Sequence, residues 1–115
     1  MIIGEVCILT NDVIRLSNFY KTLFGIVNGC DDAIHQFIIS EETTLTVYND
    51  GVRREATNNN ICIAFTVDSV DDEFERLKSL GADIINPPTE RPWGAKNMSF
   101  KDPDGNLVTF RSFPK

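Results

Sequence analysis

Histidine is nearly missing from this chain, with one residue, His35, in 115. A metal centre built from several imidazoles is excluded by that count. A cysteine nucleophile would have a single imidazole to draw on for lowering its thiol pKa. Cysteine is scarce too. Cys7, Cys30 and Cys62 are odd in number and show no CxxC spacing. No disulfide framework is expected, and a reduced, cytoplasmic chain is. Basic residues are outnumbered, 11 Lys and Arg against 17 Asp and Glu, for a net charge of −6 and a pI near 4.6. Such a surface repels a phosphate backbone, which argues against nucleic acid. No basic amphipathic stretch suggests membrane docking, and no apolar run approaches the ~20 residues of a membrane span. The opening MIIGEV has no charged segment leading into an apolar one, so no signal peptide is expected.

What is present describes an ordinary folded domain. Hydrophobic residues make up 42% and charged residues 24%. A chain of 115 residues is read as a single domain. Folding buries roughly two-thirds of its unfolded surface. That supports one modest core, so a large pocket is expected to be shared with a second copy, in a homodimer.

The pattern is a doubled unit. Ile2–Thr10 alternates as a strand, and Asp12–Phe24 carries Val13, Leu16, Phe19, Tyr20 and Leu23 at helical spacing. Asp12 is a candidate N-cap and Gly25 a helix stop. Three strand-like runs follow, at Ile26–Gly29, Ile34–Ser40 and Thr43–Asn49. The polar stretch Asp50–Asn60 reads as a linker. The series then repeats as a strand at Ile61–Val67, a helix at Ser69–Leu80 and strands at Ala82–Asn86, Trp93–Lys101 and Asn106–Phe113. Val13 and Val70, Tyr20 and Leu77, and Leu23 and Leu80 are each 57 positions apart, and Gly25 and Gly81 are 56 apart. The expected fold is therefore α+β, with two βαβββ repeats at about 1–50 and 60–115. Each would have a curved mixed sheet with its helix on the outer face.

Alternation assigns the strand faces. Val6 and Ile8 should lie under the first helix, leaving Glu5, Cys7 and Leu9 on the open, concave side. Ile63, Phe65 and Val67 should lie under the second helix, with Cys62, Ala64 and Thr66 open. In the last strand Val108 and Phe110 turn inward and Leu107, Thr109 and Arg111 outward. Between the last two strands sits Asp102-Pro103-Asp104-Gly105-Asn106. Proline at the first central turn position and a glycine free to take positive φ make this a hairpin. It is expected to close the wall of a pocket.

Several stretches together carry a family resemblance. They are Asp12-Val13, Phe19-Tyr20, Ile63-Ala64-Phe65 before Val67-Asp68, Leu80-Gly81-Ala82, Pro92-Trp93-Gly94 and Asp102 to Leu107. Over nearly its whole length the chain resembles the vicinal oxygen chelate superfamily of glyoxalase I, bleomycin-resistance proteins and extradiol dioxygenases. The resemblance implies the paired βαβββ fold and, in the enzymes, a divalent metal held by His, Gln or Glu. Those ligand positions fall here on Glu5, Cys62, Thr109 and a residue near Tyr48. Mn²⁺, Mg²⁺ or Fe²⁺ prefers carboxylates and imidazoles, and only Glu5 is a good hard ligand. No metal and no cofactor is expected, with a divalent metal as the alternative.

The candidate ligand-binding residues are Glu5, Cys7, His35, Phe37, Tyr48, Cys62, Trp93, Thr109 and Arg111. Glu5 is also the candidate catalytic base, since a part-buried carboxylate on a concave face is where shifted pKa values arise. Cys7 and Cys62 lack a placed activating partner and read as small core filler. Trp93 is suited to stack on a flat ligand. Arg111 can pair with Glu5 or hold an anion. The expected function is a non-catalytic small-molecule binder, antibiotic-resistance-like, that sequesters its ligand in a cleft formed by the concave sheets. The alternatives are a lyase, isomerase or dioxygenase with unusual metal ligands, or a metal-free enzyme using Glu5 as base.

Overall fold

Asp12 and Ser69 do the same job in the two halves of the chain. In the computed structural model, which describes residues 1–29, 31–55 and 58–114, each side chain receives a backbone N–H from three residues on. Arg15 N–H donates to Asp12 Oδ1 at 3.1 Å, and Asp72 N–H to Ser69 Oγ at 3.2 Å. These bonds satisfy donors that a helix start leaves open, and they begin α1 (Val13–Leu23) and α2 (Val70–Ser79). Gly25 and Gly81, at φ 71° and 76°, end them in a conformation that costs glycine little. Cys30 and, within the expected linker, Ala56 and Thr57 lie outside the described residues.

Two compact units result, Met1–Glu55 and Ala56–Lys115. In the first, β1 (Glu5–Leu9), β2 (His35–Ser40) and β3 (Thr44–Tyr48) form a sheet in the order β1-β3-β2. The β1–β3 pair is parallel and the β2–β3 pair antiparallel. Helix α1 packs on β2 and β3. Its buried Val13, Leu16, Tyr20 and Leu23, with Ile8, Ile38, Leu45 and Val47 of the strands, make the core. Each such side chain contributes about 1.5–3 kcal/mol when removed from water.

In the second unit, β4 (Asn58–Thr66), β5 (Asp83–Glu90), β6 (Lys96–Lys101) and β7 (Asn106–Ser112) are ordered β4-β7-β6-β5. Helix α2 packs on β5, β6 and β7. Val70 and Leu77 are buried with Met98, Phe100, Val108 and Phe110. Phe100 and Phe110 meet edge to face at 5.1 Å. Each unit thus has a mixed sheet with a helix on one face, the α+β class that the sequence implies.

Six expectations need correction. Cys7 and Cys62, read as small core filler, are both exposed, because they lie on the sheet face away from the helix. Trp93–Ala95, read as the start of a strand, form the turn before β6, which begins at Lys96. Ile26–Gly29 is not a strand, so the first sheet has three strands and the second four. The Lys21 side chain, only 5% exposed, reaches the carbonyls of Asn28 and Gly29 at 3.2 and 3.4 Å. Those acceptors serve a buried ammonium instead of a ladder. Asn58–Asn60, read as linker, open β4, where Asn58 pairs with Asn106. β5 does not stop at Asn86 but continues through Pro87 and Pro88. It is an edge strand, where a missing N–H is tolerated. Leu80 caps α2 and is 53% exposed, off the packed face.

Candidate functional site

Alternation along β1 and β3 puts Val6, Ile8, Leu45 and Val47 toward α1. Glu5, Cys7, Leu9, Thr44, Thr46 and Tyr48 are left on the other face. Strand β2 adds His35 and Phe37. Pairing lays these side chains in rows. Cys7, Thr46 and Phe37 form one row, and Leu9, Tyr48 and His35 the next. A register shift between Phe37 and Ile39 then returns Ser40 to the same row as Thr44.

This face has an aromatic and a carboxylate component. His35 lies edge to face on Phe37 at 5.0 Å and on Tyr48 at 5.9 Å. Phe37 is 60% exposed. Thr46 is fully buried beneath the row, and its hydroxyl donates to Glu5 Oε2 at 3.0 Å. That bond draws the carboxylate across from its own strand to the row of Phe37. Upstream, Asp32 Oδ1 accepts N–H groups of Ile34 and His35 at 2.9 and 3.1 Å, fixing the entry to β2. The two bonds hold the Asp32 carboxyl below its ordinary pKa. Five expected site residues, Glu5, Cys7, His35, Phe37 and Tyr48, are therefore brought together. Thr46 completes the group. It was detectable in principle, because the period of two in TLTVY puts it on the face of Tyr48.

The second unit has a different face. Cys62, Ala64 and Thr66 of β4 lie beside Leu107, Thr109 and Arg111 of β7, and Asn97, Ser99 and Lys101 of β6 lie on the far side of β7. Cys62 Sγ and Thr109 Oγ1 share a hydrogen bond at 2.9 Å, and Ser99 Oγ and Thr109 Oγ1 another at 3.2 Å. Arg111 Nε donates to Thr66 Oγ1 at 3.0 Å, and its guanidinium lies 5.3 Å from the Phe113 ring. The Asn97 side-chain oxygen is buried without a hydrogen-bond partner among the described residues. Trp93 is set in the turn between β5 and β6, 69% exposed, with the Arg91 guanidinium 5.9 Å from its ring centre. Ser99 and Asn97 went unrecognised in the sequence, although alternation along KNMSFK fixes their side.

Asp102 is a turn residue that ties its own hairpin together. Its Oδ1 accepts the N–H groups of Asp104 and Asn106, both at 2.9 Å, and its Oδ2 accepts Asn106 Nδ2 at 2.8 Å. Gly105 stands at φ 82°. The hairpin joins β6 to β7.

The metal positions implied by resemblance comprise a carboxylate, a phenol, a thiol and a hydroxyl. Glu5 already bonds Thr46, and Cys62 already bonds Thr109. Among the described residues no three of His, Cys, Asp and Glu gather as a cation cage. A donor set with one carboxylate and no imidazole does not fit a hard divalent cation.

Comparison with known proteins agrees with the fold. The model of the Glyoxalase/Bleomycin resistance protein/Dioxygenase superfamily matches residues 2–110. The uncharacterized protein YetH of Bacillus subtilis is 27% identical over 70 residues, 61% of this chain and 58% of that protein. The matched stretch thus spans a little over half of the relative's length. A glyoxalase/bleomycin resistance protein/dioxygenase from Nocardioides superposes with a TM-score of 0.79 at 21% identity, covering all of this chain and 85% of that one. Lactoylglutathione lyase from Agrobacterium tumefaciens superposes with a TM-score of 0.73 at 18% identity, covering 96% and 92%. At such identities the structures speak for the fold alone. The family model covers nearly the entire chain, and the protein belongs to the Glyoxalase/Bleomycin resistance protein/Dioxygenase superfamily.

Proposed function

We propose that this protein binds a small organic molecule and does not transform it. One observation carries the reading. The face of the first unit's sheet away from α1 offers exposed rings beside a carboxylate, but no group on it is set up to activate another. Cys7 has no imidazole beside it in its row, and the Glu5 carboxylate is tied to a hydroxyl. Aromatic side chains on a sheet face supply large, stiff contact area for a ligand. Sequestration is the corresponding mode of action, as in the bleomycin-resistance branch of the superfamily. No cofactor takes part in it, since the donor set suits no hard metal. Assembly as a homodimer belongs to the same reading, supported by exposed Ile14, Leu80 and Ile85 outside the two faces. So does a cytoplasmic location, supported by the acidic composition and sparse cysteine.

Thermal unfolding with a panel of planar organic compounds, and separately with Mn²⁺, Ni²⁺ and Zn²⁺, tests this. A ligand raises the midpoint progressively with concentration, because binding to the native state alone stabilises it by mass action. Stabilisation by a stoichiometric metal together with turnover of an added hemithioacetal or catechol would overturn the reading. Loss of such turnover in Glu5→Gln without any metal dependence would identify a metal-free enzyme instead.

A further inference from the structure

Charge on the first unit's sheet is confined to one residue. Strands EVCIL, HQFIIS and TLTVY contain a single acid, Glu5, and no lysine or arginine. Three of the unit's four basic side chains are engaged elsewhere, and the fourth, Arg53, lies on the exposed stretch after β3. Arg15 pairs with Asp12, Arg54 with Asp50, and Lys21 takes loop carbonyls. The Thr46 hydroxyl brings the Glu5 carboxylate to the row that holds Phe37. Neighbouring strands are about 4.8 Å apart. The carboxylate is thus held on the strand next to that of Phe37, and ring faces attract cations within about 6 Å. His35 braces both neighbouring rings, at 5.0 and 5.9 Å. The second unit presents the opposite chemistry, with Lys101 and Arg111 beside hydroxyls and an amide.

We propose that the β1-β3-β2 face away from α1 recognises a small organic cation, an ammonium carrying an apolar or aromatic body. Glu5 supplies the counter-charge, and Phe37 and Tyr48 seat the body. This inference rests on the small-molecule binding reading and names the ligand class. Both of its components are needed. A carboxylate in water attracts any cation weakly, and rings alone take neutral bodies equally well. Together, partly shielded from water by the ligand itself, they select an ammonium over a neutral molecule of the same shape.

The test uses a matched trio of probes, (4-hydroxyphenyl)trimethylammonium, its neutral carbon isostere 4-tert-butylphenol, and 4-hydroxybenzoate. Backbone resonances of the full chain are followed by NMR. The cation should shift β1, β2 and β3 resonances and bind about tenfold tighter than the isostere, with the anion weakest. Glu5→Gln should erase most of that preference while leaving the isostere's affinity unchanged. Tyr48→Leu should weaken the cation about fivefold. Equal affinity for cation and isostere, or a preference that survives in Glu5→Gln, overturns the cation assignment and leaves small-molecule binding intact. If no probe moves any resonance of the three strands, both readings fall.

Discussion

Lys21 and Lys78 occupy equivalent places, in the last turn of each helix and 57 positions apart, yet they behave in opposite ways. Lys21 is buried and bonds the carbonyls of Asn28 and Gly29. Lys78 lies out over the Phe74 ring at 4.9 Å and pairs with Glu75 at 3.6 Å. After the second helix the chain runs straight on as β5, whereas after the first, residues 26–29 form no strand and the next one is β2 at His35. One plan therefore yields four strands in one unit and three in the other. The choice follows the side chain that claims the backbone beyond the helix stop. A repeat in sequence fixes which helix face packs, but not what a single long side chain reaches.

The two hairpins should separate most widely. Asp102→Ala removes three bonds to a buried carboxylate and is expected to lower stability by about 3 kcal/mol in urea unfolding. Ser40→Ala, at the end of β2 beside the β2–β3 turn, removes one hydroxyl contact to Thr44 and should cost under about 0.5 kcal/mol. A similar loss for both would show the two turns to be equivalent after all.

The lysines come next. Lys21→Met should cost about 1–2 kcal/mol and speed amide hydrogen exchange through residues 26–29. Lys78→Met should stay within about 0.5 kcal/mol of the parent. Equal effects would remove the explanation given for the missing strand.

The helix faces differ at one further equivalent pair. Ser17 is fully buried and its hydroxyl has no hydrogen-bond partner among the described residues, where the second unit has the half-buried Phe74. Ser17→Ala removes an orphaned polar atom and improves helix propensity, so stability should rise by about 0.5–1 kcal/mol. A loss would mean that the hydroxyl has a bound water or another acceptor.

The smallest effect is acid sensitivity at the entry to β2. The folded pKa of Asp32 lies below its ordinary value of 3.8, because the Ile34 and His35 N–H groups favour its carboxylate. Its contribution is complete above that ordinary value and is lost as pH falls through the lower folded one. Asp32→Asn should therefore flatten the pH dependence of β2 amide exchange below about pH 4, and leave it unchanged at neutral pH. The second unit has no counterpart at the entry to β6, so its exchange should not respond.

Much of this was legible in the sequence. Period-two alternation assigned Glu5, Cys7 and Leu9, and later Thr109 and Arg111, to the faces they occupy. Period 3.6 found both helices. What escaped was set by partners remote in sequence or by position in the sheet. Val27 and Asn28 carry no mark of the lysine that holds their loop. Asn58–Asn60 look like linker until Asn106 pairs with Asn58. Pro87 and Pro88 look like a strand stop unless the strand lies at an edge. The candidate site was half visible. The ring-bearing residues were recognised one by one, but Thr46, which ties the carboxylate to them, has no chemistry of its own to announce it.

Those paired prolines have a consequence for how the molecule ages in solution. A border that offers two successive residues without amide protons is a poor template for intermolecular cross-β growth. HQFIIS, on the outer border of the smaller sheet, contains no proline and no charge of fixed sign. Fibrillation, where it begins in this chain, should begin there.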